Sequence, residues 1–173
     1  MKRILAVVFC LSLCSISVHA QKMAAKEQAI RDQRFVNFVA QTDMVEANLG
    51  QLAKTAGASP SVKDCAQTLV TDHTSDFQEI SDLARNAGLS VPKAIDVENI
   101  RATINPFQKL KGDDFDRRYI QLMVADHAKA IAAFKKEAAD AETPALKTYA
   151  DKTLPILKKL LADAKDVEKA KAS

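Results

Sequence analysis

The sequence predicts an all-α protein: a four-helix bundle with a long crossover between its second and third helices. Three observations lead there. Apolar residues recur at spacings of three and four along most of the chain, and no segment alternates strictly at period two. Glycine is scarce and tryptophan absent. Two short turns and one long connection separate the helical stretches, the loop pattern of two helix hairpins joined by a crossover.

The chain opens Met1-Lys2-Arg3, runs apolar from Ile4 to Ile16 and reaches Val18-His19-Ala20. A charged start, a short apolar stretch and a small-residue cleavage pattern make a secretory signal, so residues 1–20 are expected to be removed after Ala20. The apolar stretch is short for a transmembrane helix, and no later segment is long and apolar enough to span a bilayer. Phe9 and Leu13 precede Cys10 and Cys14, where a lipid-anchored signal needs a small residue. Without Lys2 and Arg3 the chain carries 23 basic and 22 acidic residues, a balance that argues against a nucleic-acid partner. Cys65 is then the remaining cysteine, so no internal disulfide forms and the fold rests on its core. Residues 21–164 are long enough for one bundle domain.

The first helix is expected over residues 23–55, with Phe35, Phe38, Val39, Thr42, Val45, Leu49, Leu52 and Ala56 as its inner stripe and Gly57 ending it. The second starts at Ser59-Pro60, a serine N-cap followed by proline where the missing N–H costs nothing. Val62, Cys65, Ala66, Leu69, His73, Phe77, Ile80 and Ala84 form its stripe, and Gly88 ends it. Residues 89–112 form the crossover, with Pro92, Pro106 and a short amphipathic piece around residues 97–104 that suits one or two helical turns. The third helix begins near Asp113-Asp114, acidic residues suited to a helix N-terminus. Phe115, Tyr119, Leu122, Met123, Asp126, His127, Ala130, Ile131 and Phe134 line it. The fourth begins at Thr143-Pro144, repeating the cap-plus-proline device. Its apolar positions are Leu146, Ala150, Leu154, Leu157, Leu160, Leu161 and Ala164, with a kink expected at Pro155. Residues 165–173 read as a fraying charged tail.

A short phrase occurs twice: Leu69-Val70-Thr71-Asp72-His73 and Met123-Val124-Ala125-Asp126-His127. Both histidines fall on apolar helix faces, where an unpartnered polar group costs a few kcal/mol. Counted from the first turn at 1.5 Å per residue, Glu46 and His73 both sit roughly 18 Å away, and His127 is also at mid-height. Glu46, Asp72, His73, Asp126 and His127 are therefore candidates for one polar layer. Such a layer either binds a transition metal (Fe, Zn, Cu or Mn) or is a His–carboxylate network that fixes helix register. A network is expected to tolerate His127→Asn better than His127→Leu. The di-metal signature of bundle proteins, Glu-x-x-His, is absent: Val70 and Val124 stand three residues before the histidines. No nucleophile elbow or glycine-rich phosphate loop is present. Cys65, on an apolar face, reads as inert core, and the lysines of the fourth helix read as a solvated face.

Ordered motifs carry a family resemblance across residues 35–164. Asp43-Met44-Val45-Glu46-Ala47-Asn48-Leu49-Gly50-Gln51-Leu52-Ala53, then Val62-Lys63 through to Asp72-His73, then Leu110-Lys111-Gly112, Phe115-Asp116, Tyr119 and Asp126-His127, and finally Leu146-Lys147, Tyr149-Ala150 and Leu154-Pro155 resemble the bacterial secreted family termed domain of unknown function 4142. The resemblance implies a ferritin-like bundle in the periplasm or peripheral to the outer membrane, with Glu46, His73 and His127 at recurrent polar core positions. It also implies a histidine a few residues after Leu154-Pro155, where this chain has Ile156-Leu157-Lys158-Lys159-Leu160-Leu161. Two functional readings stand. One is a non-enzymatic exported bundle serving an envelope partner, as a binding or stress-related module. The other is a ferritin-like metal-binding protein or metal oxidase using the mid-bundle layer.

Overall fold

The computed structural model describes residues 4–141 and 143–172, with side chains described from residue 21 to residue 171. Residues 1–3 of the expected export signal lie outside the described residues, and residues 4–20 are described by backbone alone, as part of the first helix. The described residues form five α-helices: α1 (Ile4–Ala56), α2 (Pro60–Asn86), the single turn α3 (Val97–Asn99), α4 (Gly112–Asp140) and α5 (Pro144–Ala172). The four long ones are the expected bundle helices. Among the described residues no helix is long and apolar enough to cross a membrane.

Local chemistry sets the helix ends. Ser59 is extended and its Oγ accepts the Val62 N–H at 3.4 Å, with Pro60 opening α2 behind it. Gly88, at φ 70°, closes α2: its N–H donates to Arg85 and the Leu89 N–H to Ala84. These are the paired bonds of a Schellman motif, which needs a left-handed residue that glycine supplies without strain. α5 continues past residue 165 to Ala172 instead of fraying. Lys171 holds that end by donating to Asp113 at 3.0 Å and to Asp116 at 2.5 Å. The α5 assignment is also unbroken across Pro155, an exposed position.

The crossover climbs alongside α1. Gln33 exchanges hydrogen bonds with Ser90, and Gln41 does the same with Ala94 and Asp96. Asp96 caps α3 through the Asn99 N–H at 2.8 Å. A π turn (Ile100–Ile104) and a 3-10 turn (Asn105–Phe107) follow, burying Ile104 and Phe107 in the core. Gly112 then meets Gly57 in a backbone bridge. The third long helix thus starts at the same end as α2, and the bundle runs up, down, down, up, as a crossover bundle requires. α1 neighbours α2 and α4, and α5 neighbours the same two. Gly50 lets α1 and α2 approach closely, since a Cβ there would come within 2.6 Å of Val70.

The core is split. One half holds Leu49, Leu69, Phe115, Tyr119 and Met123 with the crossover's Phe107. The other holds Val36, Ile80, Phe134, Leu146 and Tyr149. Along every long helix the boundary falls at the same height: after Val39 and before Val45 on α1, between Leu69 and Ile80 on α2, between Met123 and Ala130 on α4, and between Leu157 and Leu160 on α5.

Candidate metal centre

That boundary is where the polar residues lie. Asp43 and Glu46 on α1, His73 on α2 and His127 on α4 are all buried there. Asp43 and Glu46 are three apart and so share a face of α1. α5 contributes Leu157 in place of a ligand.

One ligand atom from each of Glu46, His73 and His127 lies within 4.8 Å of the other two. The His73 Nε2–Glu46 Oε2 distance is 2.9 Å, and His127 Nε2–Glu46 Oε2 is 3.7 Å. The two imidazole rings are 5.6 Å apart, centre to centre. Despite this proximity, Glu46 Oε2, His73 Nε2 and His127 Nε2 have no aligned hydrogen-bond partner. The other ring nitrogens are committed. His127 Nδ1 is 2.8 Å from the Met123 carbonyl, which can only accept, so Nδ1 carries the hydrogen and a neutral ring turns its Nε2 lone pair to the centre. His73 Nδ1 is 2.8 Å from Asp43 Oδ1. Metal-binding histidines are oriented in this way, one nitrogen tied to a carbonyl or carboxylate and the other left for the ion.

The donor chemistry fits a transition metal. Bonds of about 2.0–2.1 Å at tetrahedral angles place ligand atoms ~3.4 Å apart, so small side-chain adjustments suffice. Two imidazoles and a carboxylate suit Zn, Cu and Fe better than Mg or Ca, and three protein ligands leave coordination positions open. Without an ion, charge is balanced by a proton. Burial works against charging His73, but Glu46 and the Asp43 hydrogen bond outweigh it and hold its pKa well above the usual range. Burial would raise Glu46, but His73, with His127 adding to it, keeps that carboxyl below its ordinary value. Burial pushes Asp43 up to about 7, against the pull of His73. A cation held by Glu46, His73 and His127 would compete with the His73 proton, so its binding would weaken as pH falls.

Asp72 and Asp126 are not brought into this group. Each precedes its histidine by one residue, about 100° around the helix, and each is half-buried beside a surface groove. Sequence reasoning missed Asp43 as a partner, although its spacing from Glu46 carried the signal. It also missed Asp76, which accepts the Tyr149 hydroxyl at 2.7 Å and lines the same inner void as Asp43, Glu46 and His73. Cys65 is half-buried, its thiol pushed up to about 11 by burial and then by Asp163 and Glu46, so it stays an unreactive thiol.

Fold and site together define a crossover helical bundle with a buried His–His–carboxylate centre between two apolar half-cores. The chain belongs to the family described as Domain of unknown function (DUF4142), whose match spans residues 18–167. No curated protein matches it in sequence. Among solved structures it is similar in fold to one described as "CopM in the Ag-bound form (by co-crystallization)", with a TM-score of 0.62, 17% identity and coverage of 80% of this chain and 96% of that one. It is also similar to "CopM in the Cu(II)-bound form", with a TM-score of 0.60, 15% identity and the same coverage.

Proposed function

We propose that this protein binds a single late transition-metal ion, copper(II) in the first instance, through Glu46, His73 and His127, with Asp43 orienting His73. The observation that carries this reading is the convergence of three buried ligand atoms, from Glu46, His73 and His127, within 4.8 Å of one another, while the other nitrogen of each histidine is already tied. Copper(II) heads the affinity order for nitrogen and oxygen sites. The Ag-bound and Cu(II)-bound descriptions of the structural neighbours agree with that choice, although identities of 17% and 15% carry no ligand over to this chain. When bound, the ion would find two imidazoles and one carboxylate here, with Asp72 and Asp126 outside its reach. We further propose that the chain works in the cell envelope after removal of residues 1–20, the reading that its charged and apolar N-terminus supports.

Elemental analysis and calorimetric titration of the untagged protein test the binding. The expected result is one copper(II) per chain, lost in a His73→Ala/His127→Ala variant that still folds. A wild-type protein that stays metal-free when titrated with copper(II), zinc(II) and iron(II) overturns the reading and leaves the layer as a register-fixing network.

A further inference from the structure

Resting on that reading, we propose that the groove between α2 and α5 is the port through which the cation reaches the centre, with Asp76 as a relay ligand in its wall. The groove encloses about 270 Å³, and His73, Asp72, Asp76 and Glu79 of α2 line one side of it. These acids are spaced at four and three residues, which stacks them on one helix face. α5 supplies Thr153, Leu157 and Leu160 opposite. His73 is 95% buried by its neighbours, yet it forms part of the groove wall, and its Nε2 faces Glu46 Oε2 at 2.9 Å without an aligned hydrogen bond.

Asp76 connects the outside to the inside. It lines the groove and also a small inner void shared with Asp43, Glu46 and His73. That void measures about 10 Å³, roughly the room of one water-sized species. Asp43 Oδ2, which also has no hydrogen-bond partner, is buried at this void. The Tyr149 hydroxyl holds Asp76 by its Oδ2. A cation drawn to Asp72 and Glu79 thus meets Asp76, then the void, then the three ligand atoms, with a carboxylate or imidazole at each stage. Lys152, which also lines the groove, is already paired with Glu79 at 2.9 Å. The opposite cleft, between α1, α4 and the crossover, is larger at about 390 Å³ and also reaches Glu46, beside Asp96 and Asp126, but it sets two long cationic side chains, Arg34 and Lys129, in the path of a cation where the α2–α5 groove has Lys152.

The test is the rate of copper(II) uptake from a coloured chelator, followed by stopped flow on the full protein, with Kd and stoichiometry measured in parallel. A port residue alters association and dissociation together. Asp76→Asn, which keeps an acceptor for Tyr149, is expected to slow association about tenfold while Kd stays within threefold and stoichiometry stays at one. Ile156→Lys, on an exposed position of the groove rim, is expected to slow it as well. Arg34→Ala, which would speed a cation through the opposite cleft, is expected to leave the rate unchanged. Unchanged rates in Asp76→Asn and Ile156→Lys, or a faster Arg34→Ala, overturn the port while copper binding stands. A wild-type protein that takes up no copper removes the binding reading, and the port with it.

Discussion

Asp116 and Glu46 are both fully buried carboxylates of one bundle, and they are answered in opposite ways. Asp116, on α4 at the closed end, accepts the Ala58 and Ser59 backbone N–H groups at 3.0 Å each and the Lys171 ammonium at 2.5 Å. Burial would raise its pKa, but Lys171 and those N–H donors hold it below the ordinary value. Three directed donors from the α1–α2 turn and from α5 make it a structural clamp. Glu46, at mid-height, has two imidazole nitrogens close to one oxygen, and neither is aligned as a hydrogen bond. A buried charge met by directed donors is complete. One met by converging imidazole nitrogens that are not aligned as hydrogen-bond donors has the geometry of a ligand set. The fold can hold a carboxylate either way, so the arrangement of partners, more than burial itself, separates framework from site.

The largest expected effect lies at the clamp. Asp116→Ala takes the acceptor from two backbone N–H groups and leaves Lys171 with Asp113 alone, and a loss of about 3 kcal/mol is expected. For a domain of this size that is roughly a 10 °C fall in Tm, equal with and without copper. A loss below 1 kcal/mol would break the contrast from this side. At the centre the signs reverse. His127→Leu is expected to weaken copper binding on the order of a hundredfold, since each ligand of a structural zinc site contributes about 3 kcal/mol. It should change the stability of the ion-free protein by about 1 kcal/mol or less, because Glu46 keeps His73 as its ion-pair partner at 2.9 Å. Equal ion-free stability of His127→Leu and His127→Asn, measured by thermal melts, would exclude the network reading.

Asp43→Asn tests the partner of a ligand. A 10–100-fold loss of copper affinity with stoichiometry intact is expected, as for other residues that orient a metal-bound histidine. No change in affinity would remove Asp43 from the site. The smallest effect concerns a third carboxyl. Glu137, half-buried on α4, has an unpartnered Oε1, and burial, reinforced by Asp32, raises its pKa to about 7. No ligand atoms converge on it. Its protonated form is favoured in the folded state, so stability is lost as pH rises from its ordinary 4.5 through about 7. Glu137→Gln should therefore match wild type at pH 4 and stabilise by about 1 kcal/mol or less at pH 8, given solvent screening. Melts at the two pH values decide it.

Much of this was legible in the chain. The Ser59-Pro60 start, the Gly88 stop, the helical turns around residues 97–104 and the common height of Glu46, His73 and His127 all follow from local rules acting within one helix. Helix rise alone sets height, so three residues on three helices could be placed in one layer before any contact was known. The same rules misled where direction mattered. Asp72 and Asp126 looked like partners because they adjoin the histidines, but one residue is 100° of rotation, and each points into a groove. The tail after residue 164 looked loose because it is short, charged and terminal. Lys171 finds Asp116 55 residues away in sequence.

What the sequence determined by itself was periodicity, capping, the order of helices and the height of its unusual residues, since these depend on neighbours within a turn or two. Only the tertiary structure decided which side chains face one another: that Asp43 backs His73, that Met123 fixes the ring of His127, that Asp76 stands between groove and void, and that Asp116 is saturated where Glu46 is not. Those outcomes depend on the rotation and separation of packed helices, which arise from the whole core and leave no local trace.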